Sequence, residues 1–171
     1  MPSFDLDTNL AEDRAYQLAR TGPVTLFRQT LGETTAWLSE HGYQIVRLHA
    51  GDWQTQADFH RAIKSALDFP DYYGNNLDAL NDCMSEVATY DYGAAKDATG
   101  TVLVFTAYDA FAAREPRVAQ VILDIIAQTA RVAMMVGHRM LCLVQSNDPA
   151  ISFDPVGAAA VRWHLAEHGR R

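Results

Sequence analysis

Asp78, Asp82 and Glu86 recur every fourth residue. At about 100° per residue, this spacing places the three carboxylates on one stripe of a helix, apart from an apolar stripe of Leu77, Leu80, Met84 and Val87. Two kinds of chemistry could use such a row. Paired carboxyls can share acid and base roles, but acid catalysis needs one of them kept neutral by an apolar pocket, and an exposed helix face supplies none. The other use is attraction of a positive partner. Between Ser65 and Ala95 there are six acids (Asp68, Asp71, Asp78, Asp82, Glu86 and Asp91) and no Lys, Arg or His. That window therefore carries −6 of the net −7, and the other 140 residues carry −1. Like charges one turn apart cost a few tenths of a kcal/mol per pair in an isolated helix, and only Asp78, in the first turn, recovers something from the helix dipole. The plain reading is a solvated acidic face. Folding alone does not account for a row without bases, whereas a partner's positive charges do.

Other candidates for chemistry are weaker. The chain has no glycine-rich phosphate loop, no G-x-S-x-G elbow and no H-E-x-x-H pair. Cys83 sits among acids that keep its thiol protonated, and with Cys142 it reads as a buried free thiol of a reducing compartment. His164 and His168 have a ligand-like spacing on an expected C-terminal helix, but the arginines beside them disfavour a metal. No enzymatic activity, catalytic residue, metal or cofactor is expected. The 171 residues, 49% hydrophobic and 20% charged, fit one compact soluble domain. The start of the chain lacks a signal-peptide pattern, and no apolar run is read as reaching the roughly 18 residues of a membrane span. The expectation is a cytoplasmic protein, a monomer when free, that binds neither membrane nor nucleic acid; an acidic chain is poorly suited to grip phosphates.

The elements that must hold the acidic row follow from hydrophobic period and turn chemistry. Residues 1–8 read as frayed, Leu10 to Arg20 as a helix, Val24 to Arg28 as a short strand, and Gly32 to His41 as a helix closed by Gly42. Tyr43 to Leu48 reads as a mostly buried strand. Thr55 to Leu67 is an amphipathic helix broken at Phe69-Pro70, and a second helix begins at an Asn75 or Asn76 cap and runs to about Val87. After a loop, Thr101 to Thr106 gives the strongest strand pattern and is expected to be central. Helices over Asp109 to Arg114 and Pro116 to about Val136, a strand over Leu141 to Val144 and a helix over Val156 to His168 complete the chain. The alternation predicts an α/β domain with a small, mostly parallel sheet packed with helices and joined by right-handed crossovers.

Leu67-Asp68-Phe69-Pro70-Asp71-Tyr72-Tyr73-Gly74-Asn75-Asn76-Leu77-Asp78-Ala79-Leu80-Asn81-Asp82-Cys83-Met84 resembles, without a gap, the signature of the barstar family of intracellular ribonuclease inhibitors. The resemblance extends more loosely from Tyr43 to Ser146. It implies a barstar-like core over 43–148 with three core strands, preceded by an extension over 1–42 that adds a strand–helix unit beside the first family strand. Residues 149–171 would follow as a C-terminal helix of the same domain. It also implies a basic ribonuclease, or a related basic toxin, as partner. On this resemblance Asp82 is the anchor that stands in for a substrate phosphate, Asp78 a second acidic contact and Tyr72 the aromatic one. Tyr73, Gly74, Asn75, Asn76, Asn81 and Glu86 complete the expected surface. Asn81 and Val87 stand where barstar has tryptophans, which removes two aromatic anchors. A barstar-fold module with a different basic partner is the alternative reading.

Overall fold

The computed structural model describes residues 12–168. The elements run α1 (Arg14–Thr21), β1 (Val24–Phe27), α2 (Leu31–Glu40), β2 (Gln44–His49), α3 (Gln56–Ala66), α4 (Leu77–Ala88), β3 (Thr101–Thr106), α5 (Tyr108–Arg114), α6 (Pro116–Met135), β4 (Met140–Gln145) and β5 (Arg162–Trp163). The five strands form one sheet in the order β2-β3-β4-β1-β5, and every pairing is parallel. This is an α/β fold of barstar type, extended at one edge.

Side-chain alternation divides the core between the two faces of the sheet. Val102 and Val104 of β3 and Leu141 and Leu143 of β4 join Leu18 of α1 and Leu38 of α2 on one face. Leu103, Phe105, Cys142 and Val144 point the other way, into the larger cluster formed with α3, α4, α5 and α6. The split follows from crossover direction. The connection from β1 to β2 runs towards one edge of the sheet, while the connections from β2 to β3 and from β3 to β4 run towards the other. A right-handed crossover therefore puts α2 on the opposite face from α3–α6.

Several expectations need correction. The N-terminal strand β1 lies beside β4, not beside the first family strand: Val24 is in register with Cys142 and Phe27 with Gln145. Strand β2 instead takes the sheet edge, with Arg47 and His49 exposed. Strand β3 is interior, but β4 is the middle strand. The expected C-terminal helix is not formed. Residues 156–159 make a tight turn, Arg162 and Trp163 pair with Thr25 and Leu26 as β5, and Leu165–Glu167 is a single 3-10 turn. His164 and His168 thus share no helix face. His164 is buried, stacked on Phe27 at 4.8 Å, and burial holds its pKa below the ordinary value. Helix α6 is 20 residues long, with an 18-residue stretch of mean hydropathy 1.4, so one apolar run does reach spanning length. Its Ala119, Ile122, Leu123, Ile126 and Ala127 lie in the core. The start of the expected first helix, and residues 1–8, fall outside the described residues.

Candidate functional site

The end of α3 fixes the loop that leads into the acidic helix. Asp68 takes a left-handed conformation at φ 51°, and the Phe69 N–H donates to the Lys64 carbonyl at 3.0 Å. This closes α3 as a Schellman turn, with aspartate in the place more often held by glycine. The Tyr73 N–H then donates to the Pro70 carbonyl at 3.0 Å, which turns the chain. Phe69 and Tyr73 both point inward and meet edge to face at 4.9 Å, so two aromatic rings pin the loop from below.

The start of α4 is set by its asparagines. Asn75 is left-handed at φ 52°, a conformation its short polar side chain tolerates. The Asn76 Oδ1 accepts the Ala79 N–H at 2.8 Å and so caps the helix. Beyond the cap, Leu80, Cys83, Met84 and Val87 turn into the core, which leaves Asp78, Asn81 and Asp82 exposed on the opposite side. The two aspartates form no ion pair and no side-chain hydrogen bond among the described residues. Tyr72, in the preceding loop, is 74% exposed. Its phenol is held above the ordinary value by desolvation and by the nearby Glu86 carboxylate.

Two residues of the expected surface are placed differently. Tyr73 is buried, and its hydroxyl hydrogen-bonds to the His60 Nδ1, so its side chain supports the loop from inside. Burial pushes the Tyr73 phenol up and the His60 imidazole down, so both stay neutral. Glu86 lies on the acidic stripe but is half-buried and accepts a hydrogen bond from the Tyr92 hydroxyl. The outward ridge is therefore Asp78 and Asp82, with Glu86 drawn back at its end. Asp71 is fully exposed and lies 3.9 Å from the Lys64 Nζ, a contact of little energetic weight at the surface.

Nothing in the local sequence pattern marks His60, Tyr92 or Lys64 as part of this site. Their contacts reach across 6 to 13 positions of irregular chain, where no helical or strand period applies. Val87 is fully buried, so this position lends no ring to the surface, and the other position, Asn81, contributes an amide. Both cysteines are buried, and burial raises the Cys142 thiol. Among the described residues no cluster of His, Cys, Asp and Glu is arranged to hold a metal.

The family model described as Barstar (barnase inhibitor) matches residues 43–145, from β2 through β4. A Bacillus subtilis (strain 168) protein named "Putative ribonuclease inhibitor YrdF" is 53% identical over 34 residues, a match that covers 20% of this chain and 37% of that protein. The match thus spans little more than a third of the length of that curated relative. A chain of the solved "Structure of Drosophila ORC bound to DNA" superposes with a TM-score of 0.49 at 14% identity, over 83% of this chain and 36% of that one. That likeness is too loose to argue from. The family match contains the loop, the capped acidic helix and the three strands behind them, and the chain belongs to the barstar family.

Proposed function

We propose that the protein acts in the cytoplasm as a monomeric inhibitor, without chemistry of its own, and binds a basic ribonuclease-like enzyme over its active site. The observation that carries this reading is the pair Asp78 and Asp82, exposed one turn apart with no ion pair to a cation among the described residues. Asp82 is the anchor. A carboxylate can accept paired hydrogen bonds from arginine as a phosphate does, so it can occupy the place of a substrate phosphate in a basic nuclease site. Asp78 adds a second acidic contact, and Tyr72 offers an exposed ring with two rotatable angles. Gly74, Asn75 and Asn76 hold the loop between them, so little ordering remains to be done on binding. Membership of the barstar family supports a ribonuclease as partner, as does the name of the Bacillus relative.

Calorimetric titration with small basic ribonucleases tests the reading. Asp82→Ala is expected to cost at least about 2 kcal/mol of binding free energy, the size of an interface hot spot. A loss below about 0.5 kcal/mol removes Asp82 from the anchor role. The absence of a 1:1 complex with any such enzyme, alongside capture of a different basic protein that needs Asp82, would assign the same surface to the second class of partner. Salt provides an independent check. The association rate with a basic enzyme should fall steeply from low to physiological ionic strength, because a Debye length of about 8 Å then screens the ridge.

A further inference from the structure

At the opposite end of the sheet's strands from their C-terminal tips, the extensions outside the family match close a second, chemically different site. The end of α1, the turn at 21–23, the last turns of α6, the start of β4 and the turn at 157–159 enclose a groove of about 570 Å³. This is within the range of small-molecule sites. Its walls are mainly apolar, with Ala15, Ala19, Pro23, Ala130, Met134 and Met140 among them. In a chain of net charge −7, the described residues lining this groove include three arginines, Arg20, Arg131 and Arg139, and no acid.

Arg139 donates to the Tyr43 hydroxyl at 2.7 Å, and the other two cations are not consumed by carboxylates among the described residues. Arg131 donates to the Gly157 carbonyl at 3.2 Å, and the Arg20 guanidinium lies 5.9 Å from the Tyr16 ring centroid; neither forms an ion pair among the described residues. His138, on the floor, adds no charge. Its two ring nitrogens meet the Thr101 hydroxyl at 2.8 Å and the Ala88 carbonyl at 2.9 Å, and burial holds it neutral.

One wall is also held under strain. Val156 and Ala159 exchange backbone hydrogen bonds at 2.8 and 2.9 Å, while Gly157 and Ala158 both take positive φ, 52° and 64°, as a primed hairpin turn demands. Alanine in that conformation is strained, because its Cβ crowds the following carbonyl oxygen. Helix α6 fixes the turn from both sides: the Asp124 carboxylate accepts the Gly157 N–H at 2.8 Å, and Arg131 holds the carbonyl of the same residue. Beside the groove, Met134, Met135 and Val136 are 70%, 85% and 53% exposed, an apolar lip at the end of α6.

We propose that this groove binds a small amphipathic anion, its apolar tail against the alanines and methionines and its carboxylate or sulfonate head between the guanidiniums of Arg20 and Arg131. The tail takes the apolar surface that the fold leaves open, and methionine side chains adapt to its shape. The head receives the charge-assisted hydrogen bonds that arginine supplies. This site owes nothing to the acidic ridge and stands or falls apart from it.

Titration of the full chain with dodecanoate, read by displacement of anilinonaphthalenesulfonate fluorescence, tests the proposal. Saturable 1:1 binding is expected, weaker by about tenfold or more for dodecanol and for dodecyltrimethylammonium, which lack the negative head. Arg20→Glu and Arg131→Gln should each weaken dodecanoate binding at least about fivefold. The comparison of head groups needs no variant and decides the charge preference by itself. Equal binding of the cationic amphiphile, the absence of a saturable site, or indifference to both arginine changes would each overturn the proposal. So would binding that appears only after residues 1–11 are removed, since the groove would then serve the chain's own N-terminus.

Discussion

Asp82 and Glu167 are both carboxylates near the start of a helix, and the molecule uses them in opposite ways. Asp82, in the second turn of α4, meets no side-chain donor among the described residues. Glu167 reaches back across the C-terminal extension to the end of β1, where it accepts N–H donors from Arg28, Gln29 and Thr30 at 2.9, 3.0 and 2.8 Å and the Thr30 hydroxyl at 2.6 Å. Those amides precede α2, whose cap residue Thr30 makes no side-chain cap of its own. A residue 137 positions away thus does what a local cap would do. Burial works against the Glu167 charge, and the hydrogen bonds from Thr30 and its neighbours outweigh it, so the carboxyl titrates below its ordinary range. A satisfied carboxylate holds two remote segments of chain together. An unsatisfied one costs the fold a little and remains available to a partner.

Exchanging the two roles by mutation gives the sharpest break in this comparison. Asp82→Ala should remove at least about 2 kcal/mol from complex formation while the urea midpoint of the free protein does not fall, and rises slightly as the repulsion with Asp78 is relieved. Glu167→Ala should do the reverse, lowering stability by about 1–2 kcal/mol through the lost cap and leaving partner affinity unchanged. Similar losses on both axes for either variant would erase the distinction between a binding carboxylate and a structural one.

The pH dependence extends the contrast to the interior. His60, His138 and His164 are each held below the ordinary 6.5, chiefly by burial. As pH falls through about 6.5 the unfolded chain takes up those protons before the folded one does, so stability declines with acid. Glu167 adds a second decline below about 4.5, where the unfolded carboxyl protonates first. Urea midpoints measured from about pH 8 down to about pH 4 should fall in these two stages, and Glu167→Ala should shrink the lower one, leaving the share of Asp58, which is also held low by backbone hydrogen bonds. A midpoint constant across the range would contradict the neutral buried histidines. The smallest effect belongs to the ridge itself: Asp78→Asn should raise the stability of the free protein by a few tenths of a kcal/mol, by relieving its repulsion with Asp82. An equal loss instead would mean that the dipole contact of Asp78 outweighs that repulsion.

Much of the site can be read from the chain because it is built by short-range forces. The asparagine cap, the break at Phe69-Pro70 and the alternation of apolar and acidic stripes in α4 all act within a few residues, and each sets the backbone where it occurs. Burial of Tyr73 beside exposed Tyr72 is different. Both are tyrosines in one loop, and only the presence of His60 and Phe69 beneath that loop decides which ring points inward.

The sequence by itself therefore determined the parallel α/β class, the limits of most helices, the capped acidic helix and the family resemblance, because period and cap chemistry are local. Tertiary structure alone decided that β1 pairs with β4, that a two-residue strand replaces the expected C-terminal helix, and that Glu167 caps α2. The physical reason is distance along the chain. A two-residue strand has no period to detect, and hydrogen bonds between residues far apart in sequence become favourable only after the intervening chain has folded and paid its loop-closure entropy.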